Sequence, residues 1–294
     1  MLRLKGFSWR LRAMILGIVF LGLSAPLQAG EFIIDIGAGA DSLKYEEHVP
    51  RDSMSLEISS AARVTNVTVK GLLEYDFNNH FFVGGKGIVP VERGHGTEKW
   101  KWEVIGFVFQ DNRLEYGWTR VDGYVGYSFE FPERGDPEAH IFEPYIGIRS
   151  SWVKQNRTNF VVLGVPVGGK SVEKVDSYGA IIGFRTKKTI IDDLVLGDKV
   201  TVGFDLKYVW PFDEETTNTA MPGFIVDAEK GYTAEGSVFA EYKYNDFTSF
   251  CIEVYGGRLH WKGSDWKAYQ GGFVKWPEND TTYFGGNLYA KFEF

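Results

Sequence analysis

The chain has 294 residues, a formal net charge of −7 and aromatic residues at 16% of its composition, with a mean hydropathy of −0.19. The acidic charge disfavours nucleic acid as a partner. The single cysteine, Cys251, excludes an internal disulfide. No apolar run after residue 29 reaches the roughly 20 residues of a transmembrane helix, so a membrane-spanning chain would have to cross as strands.

The N-terminal segment has the pattern of a secretory signal. Four basic residues precede an apolar run at 13–23, and mostly small residues follow at 24–30. We predict a signal peptide at 1–29 and one mature domain at 30–294. A signal anchor is the alternative, although the apolar run is too short to span a bilayer. Cleavage would remove four positive charges and no acid, and the net charge would change from −7 to −11.

The mature chain alternates apolar and polar residues with the period of a β-strand. Near the C-terminus, Leu288, Ala290, Phe292 and Phe294 alternate with mostly polar neighbours. Breaks in the alternation predict strands near 32–46, 63–77, 81–94, 113–131, 140–155, 173–188, 200–213, 230–244, 249–263 and 281–294.

The links between these strands are alternately short and long. The long links are predicted at 47–62, 95–112, 156–172, 214–229 and 264–280. Short periplasmic turns and longer extracellular loops produce this pattern in outer-membrane proteins. The sequence therefore predicts an all-β fold: a closed, antiparallel, up-and-down transmembrane β-barrel of about ten strands in the bacterial outer membrane. A final strand that ends in Phe294 also predicts recognition by the barrel-assembly machinery.

If the apolar faces contact lipid, nearly every strand sends charged residues into the lumen. Barrels of roughly eight strands have interiors that side chains fill, so we expect these acids and bases to pair and block the lumen. The alternative is a narrow path that conducts ions or protons. The inward set is Asp35, Asp41, Lys70, Glu74, Lys86, Glu92, Arg120, Asp122, Glu130, Glu143, Arg149, Arg185, Asp205, Lys207, Glu235, Glu241, Lys243, Glu253, Lys291 and Glu293.

Seven tryptophans fall at the loop-bearing end of the predicted strands. An aromatic girdle at the membrane surface accounts for such a set, and a ligand-binding or adhesive surface is the alternative for Trp266 and Trp276. The seven are Trp100, Trp102, Trp152, Trp210, Trp261, Trp266 and Trp276.

Two short segments carry a family resemblance. Residues 143–147 read Glu-Pro-Tyr-Ile-Gly at the start of the fifth predicted strand, and Lys207, Tyr208 and Trp210 lie in the seventh. With ten strands, five sizeable loops and the closing strand, the layout resembles the omptin family of outer-membrane proteases and adhesins. The resemblance implies a surface barrel in contact with outer-membrane lipid, lipopolysaccharide above all, and with an external ligand.

The omptin catalytic pairs are absent from this sequence. Omptins carry an Asp-x-Asp pair and an Asp-x-His pair above the barrel, which hold and activate the attacking water, and neither motif occurs here. At the corresponding places, Glu98 or Glu103 could face Asp213 or Glu214. These four acids are the catalytic alternative, and solvated loop acids are the other interpretation.

No motif predicts a cofactor or a metal site. His48, His95 and His260 fall near the outer surface but lack a patterned set of partners. Residues 168–171 read Gly-Gly-Lys-Ser, but no helix pattern follows, as a phosphate-binding loop requires. We expect a non-catalytic cell-surface barrel whose loops bind or adhere. An endopeptidase with a substituted acidic site and a small pore or transporter are the alternatives.

Overall fold

The computed structural model describes residues 30–52, 56–77, 79–131, 140–194, 198–227 and 229–294. The predicted signal peptide at 1–29 lies outside the described residues. No helix in the described ranges is long and apolar enough to cross a membrane. The strands are β1 (Gly30–Val49), β2 (Ile58–Phe77), β3 (Phe81–Glu92), β4 (His95–Trp102), β5 (Phe107–Tyr127), β6 (Phe129–Phe131), β7 (His140–Val162), β8 (Val165–Leu194), β9 (Asp198–Asn218), β10 (Ile225–Asp227), β11 (Glu229–Asn245), β12 (Thr248–Lys262), β13 (Lys267–Tyr269), β14 (Gly272–Val274) and β15 (Glu278–Glu293).

One antiparallel sheet closes on itself. β1 pairs with β2 on one side and with β15 on the other, and Phe32 and Phe294 exchange backbone hydrogen bonds of 3.0 and 2.9 Å at this seam. β3 and β4 together form one barrel strand, because both pair with β2 and with β5. The ring has ten strand positions, occupied by β1, β2, β3 with β4, β5, β7, β8, β9, β11, β12 and β15. The predicted barrel is confirmed.

Large apolar side chains cover the outside of the ring. Ile36, Ile146, Ile182, Val238 and Leu288 each expose at least 60% of their surface, whereas soluble proteins bury most such residues. We call this outer zone the apolar band, and it is the surface that a membrane barrel presents to lipid. It ends at Trp210 and Phe212 on β9, which expose more than half of their surface. Beyond it the outward residues become polar, as at Lys44, Arg63 and Arg258.

The strands extend much further beyond the apolar band than predicted. The predicted loops at 95–112 and 156–172 are wrong: β4 turns into β5 within residues 103–106, and β7 turns into β8 at Leu163 and Gly164. Both residues of that two-residue turn have positive φ, 52° and 80°, as in the tightest hairpins. The outward faces are polar at this level, so the hydrophobic alternation fades although the backbone ladder continues.

Two of the predicted inward charges lie outside the lumen. Glu92 is exposed because Val67 pairs with Glu92 and Thr68 with Pro90, so Val91 is an extra residue in β3. A bulge of this kind reverses which face the following side chains occupy. Glu130 is exposed on β6, at the end of the barrel near the chain termini.

The tryptophan prediction was partly wrong. Trp261 and Trp276 are buried, at 5% and 9% exposure, rather than at an outer girdle. Trp261 belongs to an apolar cluster inside the extended part of the barrel, together with Leu43, Leu114 and Val153. The interior beyond the band is therefore a packed core like that of a soluble domain.

Close packing at the β1–β15 seam requires glycine at position 39. A Cβ there would lie 2.0 Å from the carbonyl oxygen of Gly286, whereas a Cβ at Gly71 would meet nothing within 4 Å. We expect Gly39→Ala to lower the free energy of unfolding by about 1–3 kcal/mol. Gly71→Ala, on the neighbouring strand, should change it by less than about 0.5 kcal/mol. Urea unfolding in lipid vesicles checks this, and equal stability of the two variants would contradict it.

Candidate functional site

Ion pairs cross the lumen within the apolar band. Lys70 on β2 and Lys86 on β3 donate to Glu253 on β12, at 3.0 and 2.8 Å. Arg185 on β8 donates to Glu74 on β2 at 2.8 Å. Their partners lie on strands that are not neighbours in the ring, so the side chains reach across the interior.

A second charged layer lies above the first. Asp122 accepts hydrogen bonds of 2.6 and 2.8 Å from Arg149 and one of 2.9 Å from Lys207. Glu235 accepts from Lys207 at 2.6 Å and from Tyr283 at 2.5 Å. Arg149 and Lys207 thus compensate the buried charges of Asp122 and Glu235.

Little open space is left between these groups. A cavity of about 90 Å³ remains in the lower lumen, between Asp35, Lys86, Asp205 and Lys291. Arg120, at the next level, lies over the ring faces of Trp118 and Tyr283, with 4.4 and 4.8 Å to the ring centroids. Such cation–π contacts stabilise a buried guanidinium and fill the centre of the barrel.

A buried cluster around Arg157 closes the extended part of the barrel. Arg157 donates through Nε to Glu98 at 2.8 Å, through Nη1 to Glu173 at 3.0 Å and through Nη2 to Glu47 at 3.0 Å. These residues come from β7, β4, β8 and β1. One guanidinium therefore joins four strands, and three carboxyl groups share its charge.

Two acids of the Arg157 cluster have pKa values shifted in opposite directions. Burial raises the pKa of Glu47 to about 8, against the opposing effect of Arg157. Burial also acts on Glu98, but Arg157 and hydrogen bonds from Asn112 and Ser60 hold the pKa of Glu98 below its ordinary value. The cluster thus contains one cation and three carboxyl groups, and the charge of Arg157 cannot neutralise all three.

The four acids proposed as a catalytic alternative lie in different settings. Glu98 is fully buried in the Arg157 cluster. Glu103, in the turn after β4, accepts a short hydrogen bond from Ser59, which lowers the pKa of its carboxyl group. Asp213 is exposed on β9. No hydrogen bond or ion pair joins these acids to one another among the described residues.

Glu214 differs from the other three acids because it is partly buried and has no partner in the described ranges. It faces inward opposite Ser177, beyond the apolar band, and within the described part of the chain it has no hydrogen-bond or ion-pair partner. Burial raises the pKa of its carboxyl group to about 8. A carboxyl group with a raised pKa can hold a proton at neutral pH, but among the described residues no titratable group pairs with it as an acid–base partner.

A basic groove lies on the outer wall just beyond the apolar band, and we call it the outer-wall groove. It has a volume of about 220 Å³, and Arg93, Lys154, Lys174, Asp176 and Trp152 line it. Lys154 and Lys174 are direct cross-strand partners, and like charges in that position repel. The Arg93 side chain lies over Gly117, where a Cβ would be 2.7 Å from its Nε. Sequence analysis missed these residues because only the strand register brings them together.

One group of side chains has ligand types suited to a metal ion. His260, Glu278 and Asp280 face outward on β12 and β15, with ligand atoms within 4.8 Å of one another. Arg258 Nε donates to Asp280 Oδ1 at 2.7 Å and holds the pKa of Asp280 below its ordinary value against the effect of burial. The Arg258 guanidinium thus already neutralises one of the two carboxylates of this group.

A solved structure at low sequence identity shares this architecture. The outer membrane protease OmpT from Escherichia coli superimposes with a TM-score of 0.64 at 11% identity, over 90% of this chain and 97% of that chain. The outer membrane protein OprG from Pseudomonas aeruginosa gives a TM-score of 0.31 at 12% identity, over 91% of this chain and 97% of its own. No protein-family model matches the chain, and no curated protein matches it.

The closed ring and the apolar band define the class of this protein: it is an outer-membrane β-barrel. Its fold resembles that of the omptin protease, and at 11% identity the likeness concerns the fold alone. The residues that carry omptin chemistry have no counterpart motif in this sequence.

Removal of the Arg157 charge should destabilise the extended barrel strongly. Arg157→Met leaves Glu47, Glu98 and Glu173 buried without their cation, and breaking a buried pair in this way costs about 3–5 kcal/mol. Arg113→Met is the matched control, because Arg113 is exposed on neighbouring β5 and lies 4.0 Å from Glu115. The control should lose less than about 1 kcal/mol. Equal urea midpoints for both variants would refute the role given to Arg157.

Glu214 predicts a specific pH dependence of stability. Its pKa in the folded protein, about 8 against an ordinary 4.5, means that the folded state binds the proton more tightly. The free energy of unfolding should therefore fall as pH rises from about 5 to 8. Glu214→Gln should remove about 1–3 kcal/mol of that fall, allowing for partial solvent screening. Exposed Glu215→Gln is the control, and parallel pH profiles for wild type and Glu214→Gln would disprove the assignment.

Proposed function

We propose that the protein is a non-catalytic, lipopolysaccharide-bound barrel of the cell surface, whose extracellular hairpins bind an external partner. The outer-wall groove is the observation that carries the proposal. Its three cations lie side by side just beyond the apolar band, at the depth where the phosphates of lipopolysaccharide lie. A shared phosphate would relieve the repulsion between Lys154 and Lys174 through charge-assisted hydrogen bonds.

The neighbouring residues suit the same ligand. Trp152 lines the groove on its membrane side, and amphipathic aromatic rings favour the boundary between acyl chains and headgroups. The groove lining contains three cations and one acid, Asp176, so its net positive charge attracts an anionic lipid.

The interior supports a binding role over transport or catalysis. Ion pairs and the apolar cluster occupy the lumen over most of its length, which supports a non-conducting barrel. Of the four acidic candidates, Glu98 is buried in an ion-pair cluster, Glu103 accepts a hydrogen bond from Ser59, and Asp213 is exposed to solvent. A steady, sizeable conductance in a planar bilayer would favour the pore alternative instead. Peptide cleavage abolished by Asp213→Ala would favour the endopeptidase alternative.

The proposal is tested by lipopolysaccharide binding to the refolded protein. Lys154→Gln combined with Lys174→Gln should weaken binding by at least about tenfold, since each change removes a charge-assisted contact. Lys44→Gln is the control, because Lys44 lies beyond the band on β1 and pairs with Glu46 at 2.8 Å. The effect should shrink at high salt. Unchanged affinity of the double variant would rule out the groove as the lipid site.

A further inference from the structure

Two neighbouring hairpins end in apolar turns at the far end of the barrel. Val104, Ile105 and Phe107 form the tip of the β4–β5 hairpin, and Leu163, Val165 and Val167 form the tip of the β7–β8 hairpin. Each exposes between 41% and 68% of its surface. We call these six residues the apolar tips, and contiguous exposed patches of this kind mark interaction sites.

The two tips form one surface. Leu163 N–H donates to the carbonyl oxygen of Phe109 at 2.8 Å, and Gln110 pairs with Val162 in the ladder between β5 and β7. The Trp102 ring stacks on Phe107 and Phe109, with centroids 5.7 and 5.1 Å apart. The tips are therefore held side by side rather than free to move apart.

The apolar character extends to both faces of a hairpin. Phe107 and Val108 are consecutive in β5, so their side chains point to opposite faces, and both are more than 40% exposed. A groove in a protein partner would cover one face of such a hairpin. A bilayer surrounds an inserted hairpin on every side, and it tolerates one because the ladder already satisfies most backbone groups.

The turn keeps an apolar residue where local geometry favours a polar one. Leu163 has φ of 52° and is followed by Gly164 with φ of 80°, and asparagine is the residue preferred at the first of these positions. Leucine in the left-handed region costs about 1–2 kcal/mol. The tip thus presents an aliphatic side chain at a conformational cost.

Basic side chains surround the tips. Lys99 and Lys101 lie on β4 and Lys170 on β8, below the turns, together with the acids Glu57, Glu103 and Asp111. Lys101 pairs with Glu103 at 3.1 Å. Lys99 and Lys170 are exposed beside the apolar tips, where they can contact the phosphates of an anionic lipid surface.

We propose that the apolar tips insert into the anionic lipid bilayer of an apposed cell or vesicle, so that the barrel bridges two membranes. This inference rests on the proposed surface function, because it requires the hairpins to face away from the membrane that holds the barrel. The tips lie roughly 30 Å beyond the apolar band, from strand rise and tilt. They cannot reach the lipid around their own barrel.

The test uses the full chain with lipopolysaccharide in nanodiscs, mixed with vesicles of phosphatidylcholine alone or with phosphatidylglycerol. Ile105→Cys, Leu163→Cys and Phe273→Cys each carry an environment-sensitive fluorophore. The only native cysteine, Cys251, is buried and stays unlabelled. Phe273 is the matched control, since it is 62% exposed on the β13–β14 hairpin. Emission from positions 105 and 163 should rise at least about twofold with anionic vesicles as the probe leaves water, and emission from position 273 should not.

Binding by unlabelled variants gives the second measurement. Ile105→Asn with Leu163→Asn should weaken vesicle binding by at least about tenfold, because two aliphatic groups no longer enter the bilayer. Asparagine suits the turn at position 163, so the variant should fold. Phe273→Asn should bind vesicles like wild type.

Three results would overturn the inference. They are equal emission changes at all three positions, wild-type vesicle binding by the asparagine variant, and energy transfer between labelled tips of two copies without vesicles. The lipopolysaccharide affinity of the asparagine variant should equal that of wild type. Loss of vesicle binding alone therefore concerns the tips, whereas loss of lipopolysaccharide binding in Lys154→Gln with Lys174→Gln concerns the proposed function.

Discussion

Backbone hydrogen bonding in lipid is the constraint on which this structure depends. A strand in a bilayer has no water to bond its free edge, so the sheet must close. β1 meets β15 to close it, and the seam tolerates no side chain at Gly39. Closure also gives every strand two faces, one toward lipid and one toward the lumen. In a barrel of ten strands the lumen is narrow enough for side chains to fill it.

The charges inside follow from that geometry. A charged residue on a strand can avoid lipid only by facing inward, where burial would be costly without a partner. Lys70 and Lys86 therefore share Glu253, and Arg149 and Lys207 share Asp122. Beyond the apolar band the interior changes to an apolar core. The outward face meets water there, so polar residues can face outward and apolar residues can face inward. The Arg157 cluster ends this core at the end of the barrel far from the apolar band.

The sequence reveals the membrane-spanning half of the fold better than the extension. Alternation at the lipid-facing positions locates every barrel strand, because one face must be apolar. It fails at 95–112, where Lys99 and Lys101 make the outward face polar while the ladder continues. A single bulge at Val91 moves Glu92 to the outside, and no residue in the sequence predicts this bulge. Lys154 and Lys174 lie on β7 and β8, and Arg93 lies between β3 and β4, so only the strand register reveals the groove. Among the four acidic candidates, Arg157 lowers the pKa of Glu98 and burial raises that of Glu214, and both effects depend on residues far away in the sequence.

The packed core beyond the band also has a mechanical consequence. Leu43, Leu114 and Val153 interlock strands on different sides of the ring, so the extension is a stiff column rather than a set of tethered loops. A surface on a stiff column loses little conformational entropy when it makes a contact. Its distance from the bilayer is set by the length and tilt of the strands, and not by the varying end-to-end distance of a flexible linker. The barrel thus acts as a spacer of fixed height, and whatever its hairpins touch is held at that height.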